Sequence, residues 1–259
     1  MTGRLPRWLG VVAGSVFLFL HLPILILVAF SFNASRFSAG WNGFTLDWYR
    51  AMTRRPDILR GLYLSLEIGL TSAVISTVLG TALALALHRY RFRGRATLES
   101  MMYVPLVTPE IVVGISLLAL FAALNISLGV GTILIAHVAF SISFVTVIIG
   151  ARLAGMDRSL EEAALTLGAD EFTTLVRVTI PQLLPGIVAG ALLAFTLSFD
   201  DYVITSFVTG SGTSTLPVVI YGMVRRTIEP TVNAVSAVVL GMTTLLIYVA
   251  DWISRRGAK

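Results

Sequence analysis

Six apolar runs, each of about 20 residues or more, follow one another along this chain, separated by short polar or arginine-rich segments. A helix rises ~1.5 Å per residue, so about 20 apolar residues carry it across the ~30 Å hydrocarbon layer of a bilayer. The predicted crossings are Leu9 to Phe32, Gly61 to Leu87, Glu99 to Asn125, Thr132 to Leu153, Pro181 to Val208 and Thr231 to Ser254. Composition agrees with this reading. Hydrophobic residues make up 56% of the chain, charged residues 13%, and the mean hydropathy is +0.87, whereas a soluble domain carries about 25% charged residues. The expectation is an all-α polytopic membrane protein in which residues 1–259 form one transmembrane domain.

The chain has no cysteine, which removes disulfides and thiolate chemistry from consideration. A net charge of +5 and a pI near 10.0 would suit a nucleic-acid binder. The arginines, however, cluster beside the apolar runs, as the positive-inside rule requires, so no nucleic-acid partner is expected. Arg4 and Arg7 precede the first run in the manner of a secretory signal. That run is too long and lacks a small-residue cleavage site, so it reads as a retained helix. An even number of crossings puts both termini on one side, and twelve of the nineteen lysines and arginines fall on that side. Both termini are therefore expected in the cytoplasm. This orientation leaves segments 33–60 and 209–231 outside and places a charged island, residues 154–180, in the cytoplasm between the fourth and fifth crossings.

The island reads "SLEEAALTLGADEFTTLVRVTIP". Ser159 and Glu162 have the spacing of a capping box, which predicts a helix start. Leu160, Ala163, Ala164 and Leu167 then share one face, and Gly168 supplies a left-handed turn. Asp170 can cap a second short helix with Phe172, Leu175 and Val176 on its apolar face, and Pro181 suits the first turn of the fifth crossing. Two short amphipathic helices joined at a glycine either pack under their own bundle or dock a partner.

The pattern "EAALTLG", nine residues, then "VTIP" resembles the EAA signature of inner-membrane permease subunits of binding-protein-dependent ABC importers. The resemblance implies a coupling loop seated in a groove of a cytoplasmic ATPase, with Glu162, Ala163, Ala164 and Gly168 matching the motif and Glu161 an adjacent acid. "SFNASRFSAGWNGFTLDWY", "RYRFRG", "TPEIVVGISLL" and "SFDDYVITSFVTGSGTSTLPVVIYGMVRRTIEPTVNA" extend it to the PotC-type permeases of spermidine/putrescine importers. It implies location in a bacterial inner membrane, a second related permease chain, two copies of an ABC ATPase that uses ATP and Mg, and an extracytoplasmic solute-binding protein. That binding protein would dock on 33–60 and 209–231. The sole lysine is Lys259, so no GxxxxGK[ST] phosphate loop exists and any ATP hydrolysis belongs to a partner. No cofactor is expected on this chain.

Intramembrane acids suggest what crosses. A carboxylate at the centre of a crossing costs about 2.5 to 3.5 kcal/mol on insertion scales and so usually marks a pathway or a paired site. Counted from Glu99 along a straight helix, Glu110 lies about 16 Å in, with Pro105 and Pro109 before it as potential kinks. Asp200 and Asp201 are adjacent, and a cation, either a polyamine or Arg225 and Arg226, would relieve their repulsion. Glu67 sits roughly two turns inside the second crossing. These four acids are the expected substrate pathway for a small cationic solute. Gly186, Gly190 and Ala194 recur every four residues and predict close helix packing. His21, His88 and His137 lack metal-ligand spacing, and HExxH is absent, so no metal site is expected. The rivals are a permease for another small organic solute, a passive scaffold, and an intramembrane enzyme using Glu110 and His137.

Overall fold

The computed structural model describes residues 7–36, 40–226 and 229–257. Arg4 and Lys259 of the charge count, and residues 37–39 and 227–228 of the expected outer segments, lie outside the described residues. Within them the chain is helical, with one isolated antiparallel bridge between Asn33 and Phe44. The elements begin with α1 (Arg7–Phe30), α2 (Asp47–Thr53), α3 (Pro56–Arg89) and α4 (Arg95–Val107). They continue with α5 (Glu110–Ala123), α6 (Val130–Ala154), α7 (Ser159–Thr166) and α8 (Glu171–Thr174). A π-helical turn (Leu175–Thr179) leads into α9 (Ile180–Asp200), followed by α10 (Val203–Val208), α11 (Leu216–Arg226) and α12 (Pro230–Gly257).

Four helical runs are individually long and apolar enough to cross a membrane: Trp8–Phe30, Pro56–Arg89, Val130–Ala154 and Glu171–Asp200. The bent pair α4 and α5 passes the same test only when its two helices are counted together as one span. The sixth predicted run falls on α12, a helix of 28 residues from Pro230 to Gly257.

The chain divides into two compact units. The first comprises residues 1–59 and 219–244. In it the loop after α1 is organised by Asn33, whose Oδ1 accepts the Asn42 amide at 2.8 Å while its Nδ2 donates to Gly40 O at 2.7 Å. Trp48 Nε1 donates to the Asn33 carbonyl at 2.7 Å, and Phe32 stacks on Phe44. Arg55 bridges Asp57 and Glu229, each at 2.7 Å. Arg225 lies over the Tyr221 ring, 5.7 Å from its centroid.

The second unit comprises residues 60–218 and 245–259. Its core gathers Ile68, Phe121, Ile133, Ala136, Phe140, Ile204 and Val208 from α3, α5, α6 and α10. The expected small-residue stripe packs α9 closely on α6: a Cβ on Gly190 would stand 3.3 Å from Val145 Cγ1, one on Gly186 3.2 Å from Arg152 Cβ, and Ala194 is fully buried. Small residues of this kind let helix backbones approach where no hydrophobic effect drives association.

Three local expectations are corrected. The third run is not one straight helix: it breaks at Thr108–Pro109, and α5 turns 114° from α4. Thr108 has extended angles (φ −74°, ψ 130°) because the residue before a proline is pushed out of the α region. Pro105 lies inside α4 without interrupting it. The depth of 16 Å counted for Glu110 along a straight helix therefore does not hold. The fifth run begins earlier than Pro181, since α8, the π turn and α9 form one run of 30 residues from Glu171 to Asp200, and it breaks at Asp201 before α10. Finally, the capping box does not form. The Asp157 carboxylate takes the Ser159 amide at 2.9 Å, in place of the Glu162 carboxylate that a capping box would bring back to it.

Candidate functional site

Apart from Glu67, which is exposed on α3, the expected site residues fall at two places on the second unit, joined by the helical run from Glu171 to Asp200. At ~1.5 Å per residue that run spans about 44 Å.

At its start stands the island. Gly168 has φ +91°, the left-handed turn that the sequence calls for, and Asp170 caps α8 by accepting the Thr173 amide at 3.1 Å. Hydrogen bonds from Thr173 hold the Asp170 carboxyl below its usual range, and the Ser159 amide does the same for Asp157. Glu162 and Ala163 are exposed and Ala164 half-buried. Three of the predicted apolar positions are uncovered, Leu167 at 89% exposed, Phe172 at 72% and Leu160 at 52%, while Leu175 is half-buried. Uncovered large apolar groups on a polar loop have the character of an interaction surface.

Glu161 turns the other way. Its Oε1 receives Arg89 Nη2 at 2.5 Å and Thr179 Oγ1 at 2.5 Å, and Arg89 Nη2 also reaches Thr179 Oγ1 at 2.9 Å. Beside it Arg158 Nη2 lies 3.0 Å from His88 Nε2. His88, Arg89, Arg158 and Glu161 line a cleft of about 340 Å³ between the island and the ends of α3 and α6. No sequence signal pairs residues 89, 161 and 179, because the contact spans three elements.

At the far end of the run, α5 packs on α10: a Cβ on Gly114 would meet Phe207 at 2.6 Å and Ile204 Cα at 3.4 Å. The two helix breaks thus lie side by side, with Glu110 opening α5 and Asp201 preceding α10. Glu110 is exposed and within electrostatic reach of Asp201. As the first residue of a helix, its carboxylate also faces a favourable macrodipole. Asp200, the last residue of α9, is exposed, and so is Glu67 on α3.

Asp201 is differently employed. Its side chain is 8% exposed and accepts the Ile204 amide at 3.2 Å and the Thr205 amide and hydroxyl, each at 2.7 Å. His137 on α6, 2% exposed, brings Nε2 within 2.9 Å of Thr205 Oγ1 and 3.3 Å of Asp201 Oδ2, and Nδ1 within 2.6 Å of Ser198 Oγ. A hydrogen on Nε2, with Nδ1 accepting from Ser198, satisfies every group. The histidine that sequence reasoning considered as an acid–base partner of Glu110 instead pins the α9–α10 break to α6. Its isolated place in an apolar run was a signal that it serves a buried partner.

The chain resembles known proteins over its full length. Residues 76–258 match the family described as the binding-protein-dependent transport system inner membrane component. The chain is 40% identical over 259 residues, all of this chain and 97% of the relative, to the spermidine/putrescine transport system permease protein PotC of Escherichia coli strain K12. It is also 40% identical over 250 residues, 94% of this chain and 89% of the relative, to the putrescine transport system permease protein PotI of the same strain. Among solved structures, a chain of a bacterial ABC transporter involved in the import of the acidic polysaccharide alginate shares the fold. That match has a TM-score of 0.76 and 14% identity and covers 98% of this chain and 96% of that one. A broken, helical membrane chain with a charged loop before its fifth apolar run, matched across most of its length, belongs to the binding-protein-dependent transport system inner membrane components, as a non-catalytic permease subunit.

Proposed function

We propose that this chain forms, with a second related permease chain, the membrane passage of an ATP-driven importer of polyamines that works by alternating access. The observation that carries the reading is the 40% identity, sustained across the whole chain, to permeases named for spermidine/putrescine and for putrescine. Two copies of a cytoplasmic ATPase, using ATP and Mg, would grip residues 154–180 through Glu162, Ala163, Ala164 and Gly168. A solute-binding protein would dock on segments 33–60 and 209–231. In this reading the chain makes six crossings of a bacterial inner membrane, with both termini in the cytoplasm.

Glu110, Asp200 and Glu67 are exposed carboxylates on the apolar-run unit, available to replace the water that ammonium groups lose on entering the passage. Asp201 adds charge from behind Glu110 while holding the α10 turn. A charged hydrogen bond contributes about 1.5 to 3 kcal/mol. Glu110→Gln and Asp200→Asn should therefore each raise KM for spermidine uptake by about 10- to 100-fold.

The whole reading is tested in cells stripped of their own polyamine uptake. Expression of the chain with its partners should restore entry of labelled spermidine or putrescine, and amino acids and thiamine-like cations should not compete. Uptake that persists without the chain, or that those solutes block, overturns it.

A further inference from the structure

The island is an eight-residue helix hung between two glycines, Gly155 and Gly168, the second already in a left-handed turn. Pushed from outside, such a segment would swing on its own joints and deliver nothing to the crossings. One side-chain cluster opposes that. Arg89 ends α3, Glu161 lies in the first turn of α7, and Thr179 closes the π turn that opens α9. Their three polar groups meet within 2.5 to 2.9 Å, and Thr179 is fully buried. Among the described residues, Arg89–Glu161 is the only salt bridge on the island, with side chains 25% and 24% exposed. The π turn is where i→i+5 bonding loosens the run, a feature often found at functional sites.

We infer that Arg89 is a positioning residue that latches the coupling loop to α3 and α9, so that a displacement of the knob moves both crossings instead of bending the loop at its glycines. The inference rests on the proposal that the loop docks an ATPase. Arg89 binds neither nucleotide nor solute. It fixes Glu161 and Thr179 together, and a planar guanidinium does this with one nitrogen serving two oxygens.

The test uses the complete transporter in liposomes, with substrate uptake and ATP turnover measured on the same vesicles. Arg89→Ala should keep the ATPase bound and hydrolysing while substrate moved per ATP falls at least tenfold. Arg89→Lys should retain part of the coupling. The exchange Arg89→Glu with Glu161→Arg should restore at least half of it, which a variant that merely misfolds would not do. Thr179→Val, which keeps the shape and removes the hydroxyl, should fall between wild type and Arg89→Ala.

An unchanged ratio in Arg89→Ala overturns the latch, as does a drop that only tracks ATPase lost from the complex or an exchange variant no better than Arg89→Ala. A separate arm isolates the docking. The chain has no cysteine of its own, so Leu167→Cys can be crosslinked to ATPase lysines with a maleimide–succinimide reagent. Crosslinking together with an unchanged Arg89→Ala ratio removes the latch alone, and no crosslinking removes the docking and the latch with it.

Discussion

Val145 has no exposed surface, and two glycines on different helices make the room it occupies. A Cβ on Gly80 of α3 would stand 2.7 Å from Val145 Cγ1, and one on Gly190 of α9 would stand 3.3 Å away. Valine is stiff at χ1, so it cannot swing clear. Alanine for glycine gains up to ~1 kcal/mol of helix propensity, but overpacking costs about 1–3 kcal/mol and decides the sign. Gly80→Ala should lower the thermal midpoint in detergent, Gly190→Ala should lower it less, and Val145→Ala added to Gly80→Ala should recover part of the loss. A raised midpoint for Gly80→Ala would contradict the packing. His137 is held by the opposite logic, bonding rather than space. Its order of contacts, Ser198 to His137 to Asp201, has the composition of a hydrolytic triad, but the serine is buried in the last turn of α9 and the carboxylate is occupied by the α10 amides. The array is a clamp. His137→Ala orphans the Ser198 hydroxyl at about 1–3 kcal/mol. Ser198→Ala in that background should therefore be nearly silent, while the same change alone is destabilising, a non-additivity read from a double-mutant cycle of thermal midpoints.

Two elements decide the geometry of the passage end, and both are breaks. Spin labels at the exposed positions 97 and 120 test the first. On one straight helix they would lie about 35 Å apart at ~1.5 Å per residue, while a 114° bend at Pro109 brings them to roughly half that. Pulsed dipolar spectroscopy should find the short distance in the wild type, and Pro109→Ala, which frees Thr108 to be helical, should shift population toward the long one. A single long distance in the wild type would remove the break. This element was half legible in sequence. Pro109 marked the place, but nothing local gives the angle, which depends on α5 finding α10 through Gly114, some 90 residues from its partner Ile204. The island divides the same way. Gly168 and Asp170 announced their turn and cap because both are backbone effects within four residues. The fusion of α8 with α9 was hidden, since Pro181 reads as a helix start and sits equally well just past a π turn. The cap at Asp157 was missed because two carboxylates, Asp157 and Glu162, stand within reach of the one Ser159 amide, and sequence spacing alone does not choose between them. Glu161 looked redundant beside Glu162, and the Arg89 that distinguishes them is 72 residues away.

Seen as a whole, the second unit is a strut with a knob at one end and carboxylates at the other, and the assembly around it must supply the force. The 30-residue run from Glu171 to Asp200 links the two without interruption of its helical path, and close packing on α6 keeps it from bending away. Apolar composition made the membrane class plain from the start, because no folding detail can hide so much oil in water. The proposed solute pathway rests on a handful of carboxylates, for which composition carries no information. The knob is where the proposed partner must hold on. Leu167 and Phe172 are the two largest uncovered apolar groups on the island, and burying each against a groove would contribute about 1.5–3 kcal/mol. Leu167→Asp with Phe172→Ser should then weaken ATPase docking by about 3–6 kcal/mol, a factor of roughly 10² to 10⁴. Both side chains already face outward, so the chain should still reach the membrane in normal amount, and its thermal midpoint in detergent should be unchanged. Purification through a tag on the permease should then recover the two permease chains without the ATPase, whereas Glu110→Gln, about 44 Å or so away along the strut, should retain it. If the double variant keeps its ATPase at wild-type stoichiometry, the exposed apolar groups are not the seat of docking, and the force must enter the strut elsewhere.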